Sequence, residues 1–265
     1  MAVEISDLIE LYSLASSMPK SKRHRLLFIG ETKIYPNLMD ISRVIPNEHG
    51  VTYSKQEVSA KALGKLLGFE IVETLGIEGN VDHKFNLMDK CPDYLKERFD
   101  LIFDSGVTYW TFNPGTAMTN YAKMLKMKGI VVHTTAVSGF YGSAYYNIHP
   151  VLLDKFYSSN GFELRRAALR QRRSEHDFRH IFKIVNTRIF KRSFRSEYKT
   201  LPLPFMADPK KLLASRQGYF VRKIFRLNPE LKNNVLGLFA YQKIDARDIT
   251  APILFETSIL KSETK

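Results

Sequence analysis

The sequence predicts an α/β fold in which helices cover both faces of a mostly parallel sheet. Three observations point to it. Short apolar runs close on glycine or an acidic residue, as in Arg25-Leu26-Leu27-Phe28-Ile29-Gly30 and Phe99-Asp100-Leu101-Ile102-Phe103-Asp104. Continuous rather than alternating apolar character marks strands buried on both faces. Segments with helical periodicity separate these runs, and strand–helix alternation demands right-handed crossovers and a parallel sheet. Finally, 265 residues with 44% hydrophobic and 25% charged side chains can bury a substantial core within one large domain.

The elements follow in order. Residues 1–20 read as an N-terminal helix that packs on the domain or covers its site. Its apolar stretch (Leu8, Ile9, Leu11, Tyr12, Leu14) is interrupted by Glu4, Asp7 and Glu10, unlike a signal peptide. The core spans 25–165 and begins with the strand ending at Gly30. Pro36, Pro46 and Gly50 then break any long helix. A helix fits 55–67, with Val58, Ala62, Leu63 and Leu66 on one face and Gly68 as its stop. A second strand covers 69–72 and ends at Glu73-Thr74, and a weaker one fits 81–85. The strand at 99–103 is followed by a helix at 116–125, a turn at Lys128-Gly129 and a strand at 130–133. Pro150 suits the first turn of a helix at 151–159, which stops at Asn160-Gly161 before a strand at 162–164. Residues 170–233, rich in cations and carrying Pro202, Pro204 and Pro209, read as a basic insertion before the last strand at 234–244.

A net charge of +13, concentrated after residue 160, implies an anionic partner: nucleic acid, a phosphorylated carrier or a membrane face. The run Arg165-Arg166, Arg170, Arg172-Arg173 is its densest part, and a solvated face accounts for it equally well. No stretch of eighteen apolar residues is present to span a membrane. The single cysteine, Cys91, excludes an internal disulfide and a multi-cysteine metal site; it reads as a small apolar residue or a nucleophile. No metal is expected, and the cysteine usage suits a cytoplasmic location, with peripheral contact with a membrane as the variant.

Ligands of open parallel sheets bind beyond the carboxyl ends of the strands, and the residues there carry a resemblance. Phe99 to Gly106 resembles the fourth-strand motif of class I S-adenosylmethionine (SAM) dependent methyltransferases, and Met124 to Val132 resembles their following turn and fifth strand. More narrowly, Asp104, Gly106, Phe112-Asn113, Tyr145-Tyr146-Asn147-Ile148-His149-Pro150, Phe156-Tyr157 and Asn160-Gly161-Phe162-Glu163 are similar to bacterial methyltransferase-like proteins associated with glycan biosynthesis. The resemblance covers roughly 25–165 and the last strand. It implies a Rossmann-like class I methyltransferase fold with SAM as cofactor.

The resemblance also implies site residues. Gly30-Glu31 stands at the first turn, where a standard site has several glycines. Glu73, with Thr74, is positioned to bind the ribose hydroxyls, or is a solvated strand-end glutamate. Asn86-Leu87 aligns with the adenine contact, or Asn86 bonds its own backbone. Asp104, Ser105 and Gly106 complete the cofactor set, because an acidic residue ending a buried strand needs a partner or a cleft. Tyr109, Trp110, Tyr141, Tyr145, Tyr146 and Asn147, together with Phe112, would line the mouth and bind the acceptor. Two positions depart from the relatives: Tyr109-Trp110 replaces a glutamate-histidine pair, and Ser143 stands in place of a loop histidine. His133 and His149 are then the remaining candidates for catalysis. The functions left open are a SAM-dependent methyltransferase acting on a sugar, glycan precursor or other small polar acceptor, a catalytically lapsed binding or scaffold protein, and a nucleic-acid-directed methyltransferase.

Overall fold

The computed structural model describes residues 2–45, 57–140, 144–172, 198–201 and 235–252. A short strand β1 (Ala2–Val3) leads into helix α1 (Ile5–Ser17), whose start is closed by a capping box between Glu4 and Asp7. The first core strand, β2 (Arg25–Ile29), is followed by β3 (Lys33–Ile34), which pairs with β1. Two short helices come next, α2 (Leu38–Val44) and α3 (Ala60–Leu66), capped by the side chains of Asn37 and Ser59. Residues 46–56, which include the start of the helix expected at 55–67, lie outside the described residues.

Strands β4 (Ile71–Gly76), β5 (His83–Lys84) and β6 (Phe99–Asp104) then alternate with loops. Helix α4 (Pro114–Met124) starts at an Asn113 cap with Pro114 in its first turn and runs into β7 (Leu125–Ser138). Helix α5 (Pro150–Ser159) and β8 (Phe162–Arg172) complete the alternation; β9 (Tyr198–Leu201) and β10 (Val235–Lys243) are appended. The insertion expected at 170–233 falls almost wholly outside the described residues.

Among the described residues an eight-stranded sheet results, in the order β5-β4-β2-β6-β7-β10-β8-β9. The first five of these run parallel to one another. Strand β10 is antiparallel to both β7 and β8, so β8 points the same way as the parallel set. The last described strand is therefore a reversed wedge between two earlier ones, which no local pattern announces.

Alternate side chains of each strand serve opposite layers. Leu26, Phe28, Leu101, Phe103, Ile130 and Val132 pack beneath α1, α2 and α3. Leu27, Ile29, Ile102, Val131 and Tyr241 pack beneath α4 and α5. Helix α3 lies so close that a Cβ on Gly64 would stand 2.6 Å from Val72 Cγ2, while Ala62, expected on the buried face, is exposed. The helix begins at Ala60, and this start sets the stripe that meets the sheet.

Helix α1 is bound to its face by charge as well as by Leu8 and Leu11. Arg170 Nη1 donates to Asp7 Oδ1 at 2.5 Å and to Ser6 Oγ at 3.0 Å, and Thr134 Oγ1 donates to the same Asp7 oxygen at 3.0 Å. Arg166 pairs with Glu10 at 2.5 Å and Arg165 with Glu163 at 3.6 Å. Three arginines of the run that suggested an anionic partner thus meet acids of the same chain, and Arg170 is buried. No helix among the described residues is long and apolar enough to cross a membrane.

Candidate functional site

Beyond the carboxyl ends of the five parallel strands lies a cavity of about 1020 Å³. Each of its five lining segments ends or follows one strand: Ile29–Glu31 at the end of β2, Leu75–Glu78 at the end of β4, Phe85–Met88 after β5, Val107 and Trp110–Phe112 after β6, and Ala144–Tyr146 after β7. Its ionisable residues other than tyrosine, among those described, are Glu31 and Glu78. Both are exposed and neither makes an ion pair with a described residue.

The first two turns meet closely. Gly30 takes a φ of 76°, a left-handed conformation that costs glycine little, and its N–H donates to the Leu75 carbonyl at 2.6 Å. A Cβ on Gly76 would stand 3.9 Å from Gly30 Cα, and one on Gly79 would stand 3.8 Å from Glu31 Oε2. Backbone approach at one glycine on each turn thus brings the two carboxylate-bearing loops to the same edge. Thr32 Oγ1, 3.0 Å from Ser105 Oγ, joins the turn after β2 to the turn after β6.

Several expected site residues lie elsewhere. Strand β4 continues to Gly76, so Glu73 sits within the strand and outside the cavity. Its carboxylate accepts from Arg98 at 2.7 Å, Arg25 at 2.9 Å and His83 at 3.1 Å. Burial alone would push this carboxyl up, but the hydrogen bonds from Arg98 and Arg25 prevail and hold it below the usual range. Thr74 is likewise occupied: its N–H and its hydroxyl both donate to Asp82 Oδ2. Glu78, four residues beyond Thr74, is the acid that the turn after β4 brings to the cavity, beside Glu31 from the turn after β2. The signal for it was Leu75-Gly76, an apolar residue and a glycine matching Ile29-Gly30.

Asp104 is fully buried and turned away from the cavity. Its Oδ1 accepts from the backbone N–H groups of Gly106 (3.1 Å), Val107 (2.6 Å) and Thr108 (3.4 Å). Its Oδ2 accepts from the Thr108 hydroxyl and from His133 Nδ1, the latter at 2.9 Å. The partners that a buried strand-end acid needs are thus supplied from within the chain. Ser105 and Gly106 also lie outside the cavity lining; a Cβ on Gly106 would meet the Tyr109 ring at 2.8 Å.

Neither histidine reaches the cavity. His133 is fully buried between Asp104 and Tyr157, whose hydroxyl lies 2.7 Å from Nε2 and is held well above its ordinary pKa by burial. His149 caps α5, its Nδ1 accepting from the Val151 N–H at 3.2 Å. Cys91 is buried, and burial pushes its thiol up, the opposite of an activated nucleophile.

Gly30, Glu31, Asn86, Leu87, Trp110, Tyr145 and Tyr146 do line the cavity. Asn86 also bonds its own backbone, Oδ1 accepting from the Met88 N–H at 3.0 Å. Tyr109 contributes through its carbonyl, which accepts from the N–H groups of Tyr145 and Tyr146 at 3.2 Å each, while its ring lies outside the lining. The Tyr146 hydroxyl donates to the Phe112 carbonyl at 3.0 Å. Asn147 is exposed outside the lining, and Tyr141 and Ser143 lie outside the described residues.

The architecture is the Rossmann-like α/β one that the resemblance implied, with a cavity at the strand ends. No protein-family model matches the chain. No curated protein matches it. Among solved structures it is similar to a SAM-dependent methyltransferase from Archaeoglobus fulgidus, at 14% identity over 89% of this chain and 93% of that one, with a TM-score of 0.43. It is similar also to the N-methyltransferase NodS from Bradyrhizobium japonicum, solved with S-adenosyl-L-homocysteine, at 12% identity over 91% and 86% of the two chains and a TM-score of 0.44. The order and direction of the strands, not these distant likenesses, establish the fold.

Proposed function

We propose that the chain is a SAM-dependent methyltransferase acting on a small polar acceptor, with the cofactor bound in the cavity across Gly30, Glu78 and Asn86. One observation supports this above the others. Turns from β2, β4, β5 and β6 share one cavity of about 1020 Å³, at the upper end of the ~300–1,000 Å³ typical of small-molecule sites.

The residues present fit the group. SAM carries a sulfonium and an ammonium, and Glu31 and Glu78 are the charged side chains of the described lining. Glu78 takes the role first given to Glu73: a carboxylate able to accept from both ribose hydroxyls. The backbone at Gly30, free of a side chain, admits the methionine end. Phe85, Leu87 and Met88 supply apolar surface for the adenine, with the Asn86 amide at its edge. When bound, SAM supplies a methyl group on an already electrophilic sulfonium, so orientation by the protein is the main requirement. The acceptor enters past Trp110, Phe112, Tyr145 and Tyr146, and the sugar implied by the resemblance is one class such rings can stack on.

Calorimetric titration with SAM and with S-adenosylhomocysteine tests the reading. Glu78→Gln should weaken SAM about tenfold, equivalent to about 1.4 kcal/mol, while Glu73→Gln leaves affinity unchanged in the folded protein. No heat of binding from folded protein at millimolar cofactor would eliminate the methyltransferase and leave a binding or scaffold protein.

A further inference from the structure

The charge of the cavity runs against that of the chain. The chain has a net charge of +13, yet among the described lining residues the charged side chains are two carboxylates. Many of the chain's other acids are paired: Asp7, Glu10, Glu73, Asp82 and Asp100 each meet a cation. Glu31 and Glu78 are left without a described partner at the edge of the cavity.

The mouth is aromatic. Trp110 is 43% exposed, Phe112 75%, Tyr145 66% and Tyr146 38%. Large aromatic side chains ordinarily bury most of their surface, and four open ones bordering one cavity form a ligand-ready patch. Their backbones are held by the bonds from the Tyr145 and Tyr146 N–H groups to the Tyr109 carbonyl, from the Trp110 N–H to the Val107 carbonyl and from the Tyr146 hydroxyl to the Phe112 carbonyl. Trp110 and Tyr145 stand edge to face with ring centroids 5.8 Å apart. The negative faces of such rings attract cations, most strongly where carboxylates deepen the local potential.

We infer that the acceptor is an amine, and that the aromatic rim of Trp110, Phe112 and Tyr145 binds its alkylammonium form or product. This rests on the methyltransferase reading above and names its substrate class. In the transfer, the lone pair of the neutral amine forms the new N–C bond as the S–C bond breaks, its electron pair going to sulfur. Positive charge passes from sulfur to nitrogen, and a nitrogen that still bears hydrogen then releases a proton to solvent. The net charge facing Glu31 and Glu78 is the same before and after the bond exchange. An alkylammonium held at the rim first releases a proton to solvent to free its lone pair, an exchange with water that calls on neither His133 nor His149, which lie outside the lining. A phosphate- or carboxylate-bearing acceptor would find no described lysine, arginine or histidine in the lining.

The chain's single tryptophan is Trp110 itself, so intrinsic fluorescence reports directly on the rim. Full-length protein is titrated with choline, with its neutral carbon isostere 3,3-dimethylbutan-1-ol, and with glucose, while SAM binding is measured separately by calorimetry. Choline should saturate the Trp110 signal with an affinity about tenfold above that of the isostere. Tyr145→Leu, an exposed substitution that keeps apolar area, should reduce that preference to about twofold. Equal affinities for choline and the isostere, or saturation by glucose alone, would overturn the amine assignment. SAM binding without ammonium preference defeats this inference only; ammonium preference without SAM binding defeats the methyltransferase reading and leaves a cation-binding rim.

Discussion

Replacing Asp104 with alanine separates a structural acid from a ligand-binding one. The substitution withdraws an acceptor from three backbone N–H groups, the Thr108 hydroxyl and His133 Nδ1, all buried or nearly so. Each buried donor left unsatisfied costs about 1–3 kcal/mol, less where water enters the space of the lost carboxylate. With water serving two or three of the five, the loss is about 4 kcal/mol, a large share of the ~5–15 kcal/mol that holds a domain folded. Urea unfolding followed by far-UV circular dichroism measures it. With m of about 3 kcal/mol/M, the midpoint should fall by about 1.3 M. Asp104→Asn keeps an oxygen for the loop N–H groups and should lose less than half as much. If Asp104→Ala instead kept its midpoint and lost SAM binding, the carboxylate would be a ligand contact and the structural argument would be wrong.

Other perturbations follow from the same geometry. Glu73 has a depressed folded pKa, so its stabilisation is complete above its unfolded value near 4.5 and fades as pH falls through the lower folded value. Glu73→Gln should therefore cost about 1–2 kcal/mol at pH 7, with the gap to wild type closing in the acid range below 4.5, read from urea midpoints at both ends. Arg170→Met leaves Asp7 buried without its cation and should cost about 3–5 kcal/mol, whereas Arg170→Met with Asp7→Leu recovers much of it; thermal melts that showed additive losses would refute the coupling. Gly64→Val drives a side chain into Val72 and Leu26 and should lower stability by about 1–3 kcal/mol, measured again by urea unfolding.

The strands at 25–29 and 99–104 were legible because their apolar runs are continuous, and Gly30 was legible as the turn that closes the first of them. The helix at 150–159 was legible because Pro150 marks its start locally, and that at 114–124 through the helical pattern of 116–125, which begins two residues inside the Asn113 cap and Pro114 start. Asp104, His133 and Glu73 show where such reading stops. A strand-end acid bound to a ligand and one bound to the loop N–H groups that follow have the same one-dimensional signature; only the direction of the side chain distinguishes them. Glu73 and Glu78 differ by where β4 ends, and that end is set by pairing with β2 as far as Leu75 and with β5 at Gly76 rather than by composition.

The arginine run makes the same point with charge. Counting residues gave an electrostatic surplus after residue 160, but Arg166 and Arg170 meet Glu10 and Asp7 across more than 150 positions of chain. What the sequence alone determined was the local part: which segments become strands and helices, which turns are glycine-built, and which loops follow the strand ends. Tertiary structure decided the rest, including the reversed insertion of β10, the place of Glu78 rather than Glu73 in the cavity and the internal use of Asp104 and His133. The physical reason is that propensity and periodicity act over a few residues, whereas side-chain direction and ion pairing depend on neighbours brought together only when the sheet forms.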